Sequence, residues 1–100
     1  MKQLPKELWK YFWDTKAEVV DIDTYPKYVG ERVLEWGRAK DVRWLIGQYG
    51  IPTLKEIVKS SRQLSARQAT FYAKIWDIPE TEVLCLQPEF RRLHRQFWPY

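Results

Sequence analysis

"ERVLEWGRAKDVRWLIGQYGIP", residues 31–52, holds two helical periods, each with its own stop signal. Val33 and Trp36 continue a spacing that begins at Val29. Apolar residues at i, i+4 and i+7 predict a helix that starts between Asp23 and Pro26 and turns these three side chains inward. Gly37 suits a left-handed C-terminal cap. Val42, Leu45, Ile46 and Tyr49 repeat the pattern and predict a second helix over Ala39–Tyr49. Gly50 closes it, and Pro52 cannot continue it.

The same period extends in both directions. Upstream lies "LPKELWKYFWD", residues 4–14, with four rings in five positions. Pro5 fits the first turn of a helix, where its missing N–H costs nothing. Leu8, Tyr11 and Phe12 then form a core face, and Trp9 and Trp13 a second stripe beside it. One short helix hardly buries both stripes, so Trp9 and Trp13 need cover from the C-terminal tail or from a partner. Between the helices, "AEVVDID" alternates poorly and has no evident partner strand. Asp23 is expected to cap the helix that follows.

Downstream, Thr53 and Glu56 read as a capping box in front of Leu54, Ile57 and Val58. Ser65 and Gln68 repeat the device ahead of Ala69, Tyr72, Ala73 and Trp76. Residues 77–80 read as a turn and residues 81–86 as a short apolar segment packed across the domain. The tail reads as helical from Pro88 until Pro99 stops it. The expectation is one all-α domain over residues 1–100, a compact bundle of five or six short helices.

Composition agrees with a small globular domain: 45% hydrophobic, 30% charged and 16% aromatic over 100 residues. A chain of this size builds one core and leaves little room for a deep substrate cavity. No apolar run is long enough for a membrane helix, and the N-terminus lacks the apolar stretch of a signal peptide. Cys85 is the only cysteine, so no intrachain disulfide forms. A cytoplasmic setting is the expectation. Asn is absent and Met occurs only at position 1, a composition that hints at a thermophilic source.

The net charge of +4 is uneven. Residues 55–74 carry Lys55, Lys59, Arg62, Arg67 and Lys74 against Glu56 alone, and Arg91, Arg92 and Arg95 form a second basic cluster. Such a surface attracts phosphates or an acidic protein face, or it is simply a solvated helix face.

Catalytic chemistry finds little support. Cys85 and His94 are the sole members of their types, and a zinc site needs about four ligands in a recognised spacing. Cys85 inside "VLCL" reads as a small buried hydrophobe, and His94 as a surface residue. Asp21 and Asp23 would share one face of a strand, as the metal-holding pair of nucleotidyl transferases does, but no glycine precedes Gly30 to hold a triphosphate. No phosphate loop or hydrolase elbow is present. Neither an enzyme nor a cofactor is expected.

A helix-turn-helix pair is one reading of residues 54–76. Helix 65–76 would then present Arg67, Gln68, Thr70, Phe71 and Lys74 to phosphates and base edges. The fit is partial: Gln63 replaces the usual turn glycine, and Lys59 stands where a small residue normally lets the helices close. Stacking on bases by residues 4–14 is disfavoured, because Glu7 and Asp14 balance Lys6 and Lys10.

The blocks "LPKELWKYFWD", "ERVLEWG", "VRWLIGQYG" and "SSRQLSARQATFYAKIWDIP" together resemble a family of small uncharacterised prokaryotic proteins, over residues 4–86. Members are often encoded beside abortive-infection-type nucleotidyl transferase toxins. The resemblance implies an antitoxin-like role and supplies no catalytic residues. The expected function is therefore a protein-interaction module that binds such a toxin or a second copy of itself. Trp9, Trp13, Arg91, Arg92 and Arg95 are its expected contacts, since interfaces favour Trp and Arg anchors. The alternative is a DNA-binding regulator that uses Arg67, Gln68, Thr70 and Lys74. No membrane partner is expected.

Overall fold

Four α-helices carry the architecture: α1 (Pro26–Trp36), α2 (Ala39–Tyr49), α3 (Ile51–Ser60) and α4 (Ala66–Ile75). The computed structural model describes residues 2–90. Short 3₁₀ segments at Lys6–Tyr11, Ala17–Val19, Glu80–Glu82 and Leu84–Leu86 complete it, and no strand forms among the described residues. The fold is the expected all-α bundle. Helices α1, α2 and α3 pack on one another, α4 packs on α3, and Leu84–Leu86 bridges α3 and α4. The helical tail expected from Pro88 lies mostly outside the described residues, as do His94, Arg91, Arg92 and Arg95.

The N-terminal segment winds as 3₁₀, not α. Leu8, Tyr11 and Phe12 are buried, as their spacing predicts, and Leu4 is buried with them. Trp9 and Trp13 do not form one stripe. The helix ends at Tyr11, so the i, i+4 relation does not reach Trp13. Trp9 lies against the core and donates its indole N–H to the Leu4 carbonyl at 2.9 Å. Trp13 turns outward and is 65% exposed. The segment at residues 17–23 is no strand either. Ala17–Val19 makes a 3₁₀ turn, and Asp21 forms a single antiparallel bridge with Gln3.

Asp23 does not cap α1; Asp21 organises the entry instead. Its carboxylate accepts from the Asp23 N–H at 3.1 Å and the Thr24 hydroxyl at 2.9 Å, an Asx-turn that aims the chain into Pro26. These bonds, Thr24 foremost, hold the Asp21 carboxyl below its usual range. Nor do Thr53 and Glu56 form a capping box. Helix α3 begins at Ile51, directly after Gly50, and Glu56 pairs with Lys59 at 3.5 Å. Gly50 makes this abrupt junction possible. Its φ of 84° and ψ of 152° lie where residues with a side chain are strained, so one residue both ends α2 and starts α3. Ser65 caps α4 as expected, accepting from the Gln68 N–H at 3.2 Å. At the other end, Asp77 takes a left-handed φ of 54°, and the Ile78 N–H reaches the Ala73 carbonyl at 2.8 Å. That is the Schellman pattern, which turns the chain toward the buried Ile78 and Val83.

Gly37 is not left-handed: its φ is −77° and its ψ 163°. Space selects it instead, because a Cβ there would lie 2.6 Å from the Val33 carbonyl oxygen. Gly47 has open space around its Cβ position in mid-α2. The two sites therefore give opposite signs. Gly37→Ala is expected to destabilise the chain by roughly 1–3 kcal/mol through overpacking. Gly47→Ala is expected to stabilise it by about 0.5–1 kcal/mol through backbone entropy. Urea melts of the two variants check both signs.

One buried carboxylate ties the N-terminal segment to α2. Asp41 is 4% exposed. It accepts from the Tyr11 hydroxyl at 2.6 Å and from the Arg38 N–H at 3.0 Å. Burial opposes the Asp41 charge, but these two donors outweigh it, and its pKa falls below the usual carboxylate value. Burial, and then Asp41, push the Tyr11 pKa up. A depressed carboxylate pKa contributes stability above the unfolded value, and that stability is lost as the pH falls through the folded value. Tyr11→Phe is expected to cost about 1.5–3 kcal/mol at neutral pH, the worth of a hydrogen bond to a charged group. The cost should shrink as acid protonates Asp41. Urea melts carried downward from neutral pH check this, and a pH-independent loss would contradict it.

Candidate interaction surface

Helix α1 turns two faces to different tasks. Val29, Gly30, Val33 and Leu34 form its buried side. Trp36 was expected among them, on the Val29–Val33 line. It is 56% exposed, because Leu34 shifts the buried face and leaves Trp36 about a quarter-turn from its centre. Tyr28, Glu31, Arg32 and Glu35 belong to the same outer side, which borders a groove of about 980 Å³.

Arg32 is the organiser of this side. Its guanidinium donates to the Tyr11 carbonyl at 3.1 Å and forms an ion pair with Asp14. It also lies 4.7 Å from the Trp13 ring centre and 5.3 Å from that of Tyr28, within cation–π range. The Arg32 hydrogen bond holds the Asp14 carboxyl below its usual range. Trp13 is thus fixed although it is exposed. Its ring meets Trp36 edge to face, with centres 5.6 Å apart and planes at 78°.

Two carboxylates of α1, one turn apart, hold the opposite wall. Glu31 accepts from the hydroxyl of the buried Ser61. That hydroxyl in turn accepts from the N–H groups of Gln63, at 3.0 Å, and Leu64, at 3.2 Å. Glu35 accepts from the Ser65 N–H at 2.7 Å. The Ser61 hydroxyl and the Ser65 N–H thus tie the 61–65 loop to α1, and its Leu64 side chain is buried. Cys85, buried as expected, and Phe90 line the same groove.

Helix α4 presents Arg67, Phe71, Lys74 and Ile75 to solvent, while Gln68 and Thr70 are half-buried at the flanks. The four residues expected to meet DNA thus share one helix but not one exposure. Glu35 stands at the N-terminal end of α4, the end with which a recognition helix normally approaches bases. A carboxylate there repels phosphate.

Of the expected contacts, Trp9 and Trp13 are separated, and the three arginines lie outside the described residues. The sequence reading missed Arg32 and Trp36 as surface groups. The signal available was the i, i+4 repeat of Glu31 and Glu35, a polar stripe on a helix with apolar residues to spare. Among the described residues, no three of His, Cys, Asp and Glu gather as a metal site, and no helix is long and apolar enough to cross a membrane.

No curated protein and no solved structure gives a match to the chain. A family model does match, over residues 8–58. That span runs from the buried Leu8 to Val58 in α3, and it includes Trp13, Arg32 and Trp36. The chain belongs to this family, described as a family of unknown function (DUF6922).

Proposed function

We propose that the protein is a non-catalytic interaction module whose contact surface centres on Trp13, Trp36 and Arg32. The supporting observation is the ring pair itself. Two large apolar rings stand more than half exposed and touching, held in place by a paired guanidinium. Rigid aromatic and Arg groups lose little entropy on binding and dominate interface energetics. The resemblance of the sequence blocks supports a nucleotidyl transferase of the abortive-infection type as the partner, in a cytoplasmic, antitoxin-like role. The test is co-expression with the product of the adjacent gene, followed by size exclusion. Co-elution at micromolar concentration is expected. Separate elution would count against the reading, and a dimer of the chain alone would redirect it to self-association.

A second reading rests on α4, where Arg67 and Lys74 face outward beside Phe71. This stripe suits phosphates, and the Glu35 carboxylate weighs against it. DNA affinity that falls steeply with added salt, and that is lost in Arg67→Ala with Lys74→Ala, would support it. A shift unchanged in that variant would remove α4 from consideration.

A further inference from the structure

We infer that the outer face of α2, with Arg38, Lys40 and Arg43, is a binding surface for the phosphate backbone of a nucleic-acid strand. The first ground is a concentration of cations without counter-ions. Arg38, Lys40 and Arg43 are all exposed. Lys10 joins them from the N-terminal segment. Its ammonium lies 5.4 Å from the Tyr11 ring centre, and the Tyr11 hydroxyl meets Asp41, which also accepts from the Arg38 N–H. Lys10 thus stands near the start of α2. Arg32 and Lys59 are neutralised by Asp14, Glu56 and Glu82. Lys10, Arg38, Lys40 and Arg43 form no ion pair among the described residues. The acids beside them are Glu7 and Asp41. Asp41 is buried and already accepts two hydrogen bonds, and Glu7 leaves the balance positive. Such a surface attracts phosphates.

The second ground is Gly47. Lys40, Arg43 and Gly47 recur at i, i+3 and i+7, so they share one face of α2. Gly47 is exposed, and a Cβ there would meet nothing within 4 Å. Neither a positive φ nor tight packing calls for glycine at this position, although glycine weakens a helix interior. Its other use is to let a ligand backbone come close. Beside two exposed cations, it gives a strand room to lie against the helix.

The shape of the patch selects the ligand. Arg38 and Arg43 lie about 7.5 Å apart along the helix axis, which suits a row of phosphates better than one anion. Trp44, partly exposed and one turn beyond Lys40, borders the row. Tyr49 holds its ring edge to face, with centres 6.4 Å apart. An unstacked base can lie on such a ring, a contact that an acidic peptide lacks. These residues are separate from Trp13, Trp36 and Arg32, so the inference does not depend on the partner proposed for that surface.

Fluorescence anisotropy of the full chain with a labelled, mixed-sequence single-stranded oligonucleotide tests this. Binding is expected at low salt, with log affinity falling linearly against log salt. Lys40→Gln with Arg43→Gln should weaken it by about tenfold or more and lessen that slope by about 1–2. Lys10→Gln, on a different segment, should act in the same direction. Gly47→Gln should weaken binding several-fold at an unchanged slope, without lowering the thermal midpoint. No binding at low salt, a slope unchanged in the Lys40 and Arg43 variant, or full affinity in Gly47→Gln would overturn the inference. Equal affinity for polyglutamate of matching charge would overturn it too, in favour of an acidic protein. So would a loss confined to Arg67→Ala with Lys74→Ala, which would place the strand on α4.

Discussion

Phe12→Ala is expected to lower the unfolding free energy by about 3–5 kcal/mol, while Trp13→Ala, one residue on, should stay within about 0.5 kcal/mol of wild type. Phe12 is 1% exposed and meets Tyr28 edge to face, with ring centres 5.5 Å apart. Its truncation removes a buried ring and leaves a cavity that well-packed neighbours only partly fill. A domain of 100 residues has roughly 5–15 kcal/mol of stability in total, so this single change removes a large share. Trp13 is 65% exposed, and without it Arg32 keeps its Asp14 and Tyr11 partners while Trp36 stays in solvent. Urea melts of the two variants make the comparison. Similar losses would mean that Trp13 is a core residue, and the interaction reading would lose its basis.

The second large effect falls on binding. Trp13→Ala combined with Trp36→Ala is expected to weaken the partner complex at least ~30-fold, the equivalent of about 2 kcal/mol for a single strong anchor. The two rings touch each other, so their losses should not add: residues in contact couple. Each single variant should therefore show a good part of the double variant's loss. The thermal midpoint of the double variant should stay near that of wild type, because both side chains are exposed. Titration calorimetry with the purified partner reads the affinity, and a melt of the same samples reads the fold.

The helical architecture was largely legible in the sequence because it rests on local signals. Leu8, Tyr11, Val33, Leu45 and Val58 are buried where their spacing places them, and Ser65 caps where its position predicts. Misreadings arose where one residue acts at a junction. Gly50 ends one helix and begins the next with no loop, so the cap expected at Thr53 falls inside α3. Gly37 looked like a conformational glycine, but the nearby Val33 carbonyl makes it a spatial one. Asp21 and Asp23 are chemically alike, and only the fold decides that Asp21 accepts from Thr24.

The candidate surface was less legible for a related reason. Trp13 was identifiable as a surplus ring on a short segment. Its partner Trp36 lies on another helix and shares the period of the core, so periodicity alone hid it. Arg32 joins the two by reaching across from α1 to residues 11–14, a juxtaposition that no local pattern encodes. The tie between Glu35 and Ser65 likewise spans thirty positions, and it is what sets a carboxylate at the end of α4.

The central claim is that the Trp13–Trp36 edge carries recognition, rather than the basic stripe of α4. Its most direct measurement is the affinity of two full-length double variants for the proposed transferase partner, each compared with wild type. Trp13→Ala with Trp36→Ala should lose at least ~30-fold, and Arg67→Ala with Lys74→Ala should change affinity by less than about tenfold, the effect of rim charges. The reverse order, or full affinity in the tryptophan variant, would contradict the account.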